Sequence, residues 1–223
     1  MENTVFVKSY DKPEVDMDEI LRYARIDNSS GQLDALIREC MQEALGKLVY
    51  KVCWREFSVR ECDEFLDMGF LKTDSKALIR SLRNCSTVIV FAATVGIELD
   101  RLILKYSAIS PTKALFMQAI GTERIESLCN TFCQDIMKEK CYIGKGVTHR
   151  FSPGYGDFPV EVQKDVFRVL EPSRKIGLTL NSSMLMSPTK SVTAILGITD
   201  EIQENTKNTA CVECEKKDCK FRR

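Results

Sequence analysis

The chain has 223 residues, 44% of them hydrophobic, which is enough for one sizeable core. Lysine plus arginine and aspartate plus glutamate each number 32, so the formal net charge is zero; neither nucleic acid nor an anionic membrane is expected as a main partner, because both reward an excess of positive charge. Ten cysteines would suit a disulfide scaffold, but Met1-Glu-Asn-Thr lacks a basic-then-apolar leader pattern and the longest apolar run, Val88 to Ile97, is too short to cross a bilayer, so reduced thiols in a cytoplasmic protein are expected.

Pro13 to Ile26 predicts a first helix, with Val15, Ile20, Leu21, Tyr23 and Ala24 as its apolar stripe. Ser29-Ser30-Gly31 breaks it. A second helix follows, capped by Ser30, in which Leu33, Leu36, Ile37, Cys40, Met41, Ala44, Leu45 and Leu48 recur at helical spacing. From Val49 to Phe57 the period changes to two, with Tyr50, Val52 and Trp54 alternating with Lys51, Cys53 and Arg55, as in a half-buried strand. Residues 58–71 predict short strands or a hairpin. Thr73 or Asp74 caps a short helix through Arg83, with Ala77, Leu78 and Leu82 inward. Thr87 to Ala93 is continuously apolar and predicts a buried central strand.

Thr94-Val-Gly96 turns into a helix beginning near Ile97. One glycine without Gly-x-Gly-x-x-Gly reads as a tight connection rather than a phosphate loop. Ser110-Pro111 opens a helix to about Glu139 with core positions Leu115, Ala119, Ile125, Leu128, Phe132 and Ile136. Glu126 lies beside that stripe, with Cys129 and Cys133 further along the same flank.

Gly146-Val-Thr-His-Arg-Phe-Ser-Pro-Gly-Tyr-Gly-Asp-Phe-Pro159 is the stretch around which the function is organised. Val147 and Thr148 suit a strand, and Gly154 and Gly156 suit tight turning. Arg150 places a planar cation four residues before Gly154; such a guanidinium can grip a carboxylate through two parallel hydrogen bonds. Tyr155 adds a ring face and a hydroxyl. Beyond this, Val160 to Leu170 reads as a helix whose apolar stripe, Val160, Val162, Val166, Phe167 and Leu170, is interrupted by polar Gln163, and Glu171-Pro172 ends it. Ile176 to Leu180 and Ser191 to Leu196 read as two strands, expected as antiparallel neighbours.

Arg150-x-x-x-Gly154-Tyr155, then Ile176-Gly-Leu-Thr-Leu-Asn-Ser-Ser183, then Met186-Ser-Pro-Thr-Lys-Ser-Val-Thr193 resemble, in order and spacing, the S-adenosylmethionine (AdoMet) motifs of the activation domain of cobalamin-dependent methionine synthase. The likeness covers roughly residues 112–195, and the N-terminal part resembles free-standing, single-domain relatives. It implies a single α+β domain over residues 1–200, with a bent, mostly antiparallel sheet flanked by helices. It implies AdoMet held by Arg150 at its carboxylate, by main chain near Pro153, Gly154 and Tyr155 on the adenosine side, and by Glu126 at the sugar or amino group. Pro188 and Ser191 fall on the rim loop. The expected role is an accessory subunit of a methyltransferase system. It would support reductive methylation of the cobalamin carried by a methionine synthase, with an electron donor such as flavodoxin or ferredoxin. The same site could serve another corrinoid methyltransferase. The aromatic pair that contacts AdoMet in the large synthase has no counterpart here.

Residues 201–223 form a separate Cys-rich tail. Cys211, Cys214 and Cys219 have the spacing of three ligands for zinc or an iron–sulfur cluster, with Cys141, Cys85, Cys62 or His149 as a fourth. The competing reading of the whole chain is therefore a metal or redox interaction module. With one histidine, no Ser/His/Asp triad is supportable.

Overall fold

The computed structural model describes residues 4–26, 31–62 and 64–200. In chain order the elements begin with β1 (Phe6–Tyr10), α1 (Met17–Ala24), α2 (Gly31–Leu45) and β2 (Tyr50–Ser58). The short strands β3 (Arg60–Cys62), β4 (Phe65–Asp67) and β5 (Lys72–Thr73) precede α3 (Lys76–Ser81), β6 (Cys85–Thr94), α4 (Glu98–Ile109) and α5 (Pro111–Tyr142). Then come β7 (Gly146–Val147), a 3₁₀ turn at Val160–Val162, α6 (Gln163–Leu170), α7 (Pro172–Lys175), β8 (Thr179–Leu180), β9 (Met186–Ser187) and β10 (Ser191–Thr199).

The apolar run in β6 becomes the middle of a five-stranded sheet, ordered β1-β2-β6-β10-β7, with every pairing antiparallel. Alternate side chains of a strand face opposite ways, and β6 is apolar at every step from Val88 to Ala93 because both faces are covered there. Ile89, Phe91 and Ala93 enter one core, with α1, α2, α4 and α5. Val88, Val90 and Ala92 enter the other, with Leu78 of α3 and Val166 and Leu170 of α6. This is the expected α+β architecture, a single domain with helices on an antiparallel sheet.

The 32-residue α5 crosses the first face and runs for about 48 Å. An aromatic row ties it to the sheet: Phe6 stacks on Trp54 at 5.5 Å, Trp54 meets Phe132 at 5.4 Å, and Phe132 meets Phe91 at 4.8 Å. At Gly121 the helix passes so near α4 that a Cβ would lie 2.1 Å from Leu99 Cδ2.

Several expectations are corrected. The first helix starts at Met17, where Asp16 accepts the Glu19 amide at 3.0 Å, and the second ends at Leu45 rather than Leu48. Ser30, the expected cap of that second helix, lies outside the described residues. Ser75, not Thr73 or Asp74, caps α3; its hydroxyl accepts the Leu78 amide at 3.2 Å. Leu115 points outward at 48% exposure, while its neighbours Ala114, Phe116 and Met117 take the buried face of that turn. The largest correction concerns residues 176–196. β8 pairs with β9 in a two-residue ladder, while β10 lies between β6 and β7. Two short strand patterns near each other in sequence look like a hairpin, but Met186–Ser187 takes the partner position that Ser191–Leu196 was expected to hold.

Candidate functional site

Tertiary pairing aims Arg150. Phe151 exchanges two backbone hydrogen bonds with Ile195 of β10, at 2.9 and 2.8 Å. Phe151 joins the second core and meets Phe158, with ring centroids 6.1 Å apart. The preceding side chain in an extended segment points the other way, so Arg150 is directed at α5. Glu126 and Asn130 wait there, one helical turn apart on the same flank. Arg150 Nη2 donates to Glu126 Oε2 at 2.5 Å and Nη1 donates to Asn130 Oδ1 at 2.7 Å. The Arg150 and Glu126 side chains keep 23% and 38% exposure, so both charges can be reached from solvent.

Burial works against the charge on Arg150, but Cys129, Glu126 and Cys133 around it outweigh burial and its pKa is raised. The guanidinium is a permanent cation. Burial pushes the Cys129 and Cys133 thiols up, and Cys129 is fully enclosed, so neither is a thiolate nucleophile near neutral pH.

The turn that follows closes on itself. The Gly154 amide donates to the Phe158 carbonyl at 2.8 Å, and the Phe158 amide donates to the Tyr155 carbonyl at 3.0 Å. Gly154 has φ +93° and Gly156 φ +58°, in the region that glycine enters without strain. Pro153 is buried. Tyr155 stands at the tip, 67% exposed. The Asp157 carboxylate reaches across to α3, accepting from Ser75 Oγ at 2.6 Å, the Lys76 amide at 2.7 Å and the Ala77 amide at 3.1 Å.

The rim candidates lie elsewhere, Ser191 at the start of β10 and Pro188 just before it. Ser191 pairs with Thr94, and Ile195 pairs with Phe151, so about 13 Å of strand separates Ser191 from the level of Arg150. Ser191 is buried, with its Oγ 2.8 Å from both Thr94 Oγ1 and the Pro188 carbonyl oxygen. Pro188 is buried too. Between them and α5 sits Lys190, whose Nζ donates to Thr122 Oγ1 at 3.0 Å and whose pKa is lowered by burial, with Asp100 opposing that shift. Thr122, Glu126 and Asn130 therefore line one flank of α5 at four-residue intervals.

Thus Glu126 and Arg150 are in contact, the Pro153–Tyr155 turn follows Arg150, and Pro188 and Ser191 support the sheet end from the interior. Asn130, Lys190 and Asp157 were missed. The four-residue step from Glu126 to Asn130 was readable in the sequence; no local pattern marks Lys190 or Asp157. His149 is exposed.

Among the described residues, no group of three or more His, Cys, Asp or Glu side chains could hold a metal ion. Cys211, Cys214 and Cys219 lie outside the described residues. Also among the described residues, no helix is long and apolar enough to cross a membrane. Two hollows lie elsewhere: one is bordered by Arg55, Phe57, Arg60 and Asp67, the other by Tyr10, Lys12, Val49 and Tyr50. Arg150, Glu126 and Asn130 form a partly open polar cluster beside the turn.

No family model matches the sequence, and no curated protein matches it. Among solved structures, the chain is similar to the crystal structure of the MetH reactivation domain bound to AdoHcy, with a TM-score of 0.66 and 13% sequence identity. The match covers 90% of this chain and 80% of that one. A likeness at this identity establishes the shared fold.

Proposed function

We propose that this protein is an AdoMet-binding reactivation subunit that supports reductive methylation of the cobalamin of a cobalamin-dependent methionine synthase. The observation that carries the reading is the partly open Arg150–Glu126 pair, on a fold shared with a reactivation domain whose crystal structure contains AdoHcy.

The chemistry of the pair fits an amino-acid end. AdoMet and AdoHcy carry a carboxylate and an ammonium on one carbon. Arg150 offers the carboxylate a guanidinium that has spent two of its five N–H groups on Glu126 and Asn130. Glu126 offers the ammonium a carboxylate. A zwitterion docking here exchanges one ion pair for two, so desolvating the site leaves no charge unpaired. Tyr155, exposed at the tip of the Gly154–Gly156 turn, presents a ring face to an adenine. The amides of Gly154 and Tyr155 already donate within the turn, so the turn holds the nucleoside by shape, carbonyls and the tyrosine ring.

AdoMet supplies a transferable sulfonium methyl group. The chain's own contribution is to fix where that group points, with Arg150 holding one end of the ligand and the turn that follows it in the chain holding the other. The reducing electron is assigned to a separate donor such as flavodoxin or ferredoxin. A cytoplasmic setting suits this role.

Isothermal titration with AdoMet and AdoHcy tests the reading. We expect saturable binding, weakened about 30- to 150-fold in Arg150→Met, the loss of a charge-assisted bidentate contact of about 2–3 kcal/mol. Absence of saturable binding in the wild-type chain, or equal binding in Arg150→Met, rejects the assignment.

A further inference from the structure

We infer that Asp157 is a positioning residue for the ligand turn, fastening Gly154–Gly156 to the start of α3 so that the turn is set before ligand arrives. The inference rests on the AdoMet reading for the identity of the ligand, and on geometry alone for the fastening.

The turn is short of anchors. Its internal bonds, Gly154 amide to Phe158 carbonyl and Phe158 amide to Tyr155 carbonyl, hold its shape but not its place. On one side Phe158, 1% exposed, plugs the second core. On the other, Phe151 is locked to Ile195. Between these points lie two glycines at positive φ, which have more conformational freedom than other residues. Pro153 is buried within this stretch, and Asp157 ties it by hydrogen bonds to a separate element, with three bonds to residues about 80 positions earlier.

Those three donors are the Ser75 hydroxyl and the first two amides of α3, groups a helix cannot satisfy internally. Ser75 Oγ donates to Asp157 Oδ1 while accepting from the Leu78 amide, so one hydroxyl links the helix cap to the loop. The carboxylate pKa is lowered, first by the Ser75 hydroxyl, as expected of an anion held by donors. The fit is close: a Cβ on Gly156 would lie 3.1 Å from Ala77 Cβ, so the glycine lets the turn approach α3. Leu78, one residue further on, is fully buried in the same core as Phe158, which makes α3 a fixed post.

If the fastening sets the turn, its loss lowers the fraction of molecules with the turn in place, and apparent affinity falls by that fraction. In Asp157→Asn the Oδ1 contacts to Ser75 and Ala77 persist, but an amide NH2 replaces the oxygen facing the Lys76 N–H. In Asp157→Ala all three are lost.

The experiment has two arms on the full chain. In the first, hydrogen exchange of the unliganded protein is followed at Gly154, Phe158, Lys76 and Ala77. The expected order of exchange rate is wild type, then Asp157→Asn, then Asp157→Ala, with β6 amides unchanged. In the second, AdoHcy affinity is measured for Asp157→Ala, Ser75→Ala and the double variant. Each single variant is expected to weaken binding about three- to tenfold, and the double variant no more than the worse single one, because both break the same link. Unchanged exchange at Gly154 and Phe158 overturns the fastening. Faster exchange with unchanged affinity, or fully additive losses, overturns the positioning role. If wild type itself does not bind AdoHcy, the AdoMet reading fails while the first arm still decides the fastening.

Discussion

Arg124→Met should be among the most damaging single substitutions in this chain. Arg124 has no exposed surface and Glu123 only 3%, yet both are charged. Arg124 Nε and Nη2 donate to the two Glu123 carboxylate oxygens, each at 2.5 Å. Nη1 and Nη2 also donate to the Pro13 and Glu14 carbonyls, each at 2.6 Å, and Glu123 Oε1 accepts the Asp16 amide at 3.1 Å. The pair therefore straps the segment before α1 onto α5. Methionine fills the same volume but abandons the Glu123 carboxylate and the Pro13 carbonyl. The Glu14 carbonyl retains only the Ser127 hydroxyl at 2.9 Å. Breaking a buried pair from one side costs about 3–5 kcal/mol, because a charge remains without its partner. Against a total of roughly 5–15 kcal/mol, that is a large fraction. For a domain of this size the melting point should fall by roughly 6–20 °C. Urea unfolding followed by the fluorescence of Trp54, the sole tryptophan, measures the loss. Glu123→Gln combined with Arg124→Met removes the orphaned charge and should recover part of the stability. A loss under about 1 kcal/mol, or a double variant no more stable than Arg124→Met alone, would refute the buried-charge argument.

Two further outcomes follow from the packing and the charges. Gly121→Ala gains about 1 kcal/mol of helix propensity but sets a Cβ 2.1 Å from Leu99 Cδ2 and 3.0 Å from Lys190 Cγ. Leu99 is fully buried, so overpacking of about 1–3 kcal/mol should exceed that gain and lower the melting point; a rise shows that α4 and α5 are not that close. Glu43 is held first by the Tyr106 hydroxyl at 2.5 Å, then by Lys105, so its carboxyl lies below the ordinary range. A depressed carboxyl stabilises the fold above its unfolded pKa of about 4.3 and loses that contribution as pH falls through the folded value. The melting-point gap between wild type and Tyr106→Phe should thus be constant at neutral pH and shrink below about pH 4; a gap that persists or widens in acid contradicts the assignment.

Much of the fold was legible before any coordinates. β6 was readable because a strand covered on both faces must be apolar at every position, a pattern hard to mistake over Thr87 to Ala93. α2 and α5 were readable because each has one buried stripe long enough to repeat. Helix ends were less clear, since Met17 of α1, Leu45 of α2 and the Ser75 cap of α3 are set by which donor finds an acceptor, a choice made within one turn. The 176–196 region misled because two-residue ladders carry no periodicity, and Met186–Ser187 gives no strand signal of its own.

The candidate site divides in the same way. Sequence alone supplied the chemistry: a cation, a carboxylate on a helix flank, and a Pro-Gly-Tyr-Gly turn. It determined which groups the chain has to offer. Tertiary structure decided how they meet. The Phe151–Ile195 pairing sends Arg150 toward α5 and into Glu126 and Asn130; the reach of Asp157 to Ser75 sets where the turn rests; and the length of β10 keeps Ser191 apart from both. A side chain's type is local information, whereas its direction and partners depend on strand register and on contacts between residues 20 to 80 positions apart, which no short window of sequence contains.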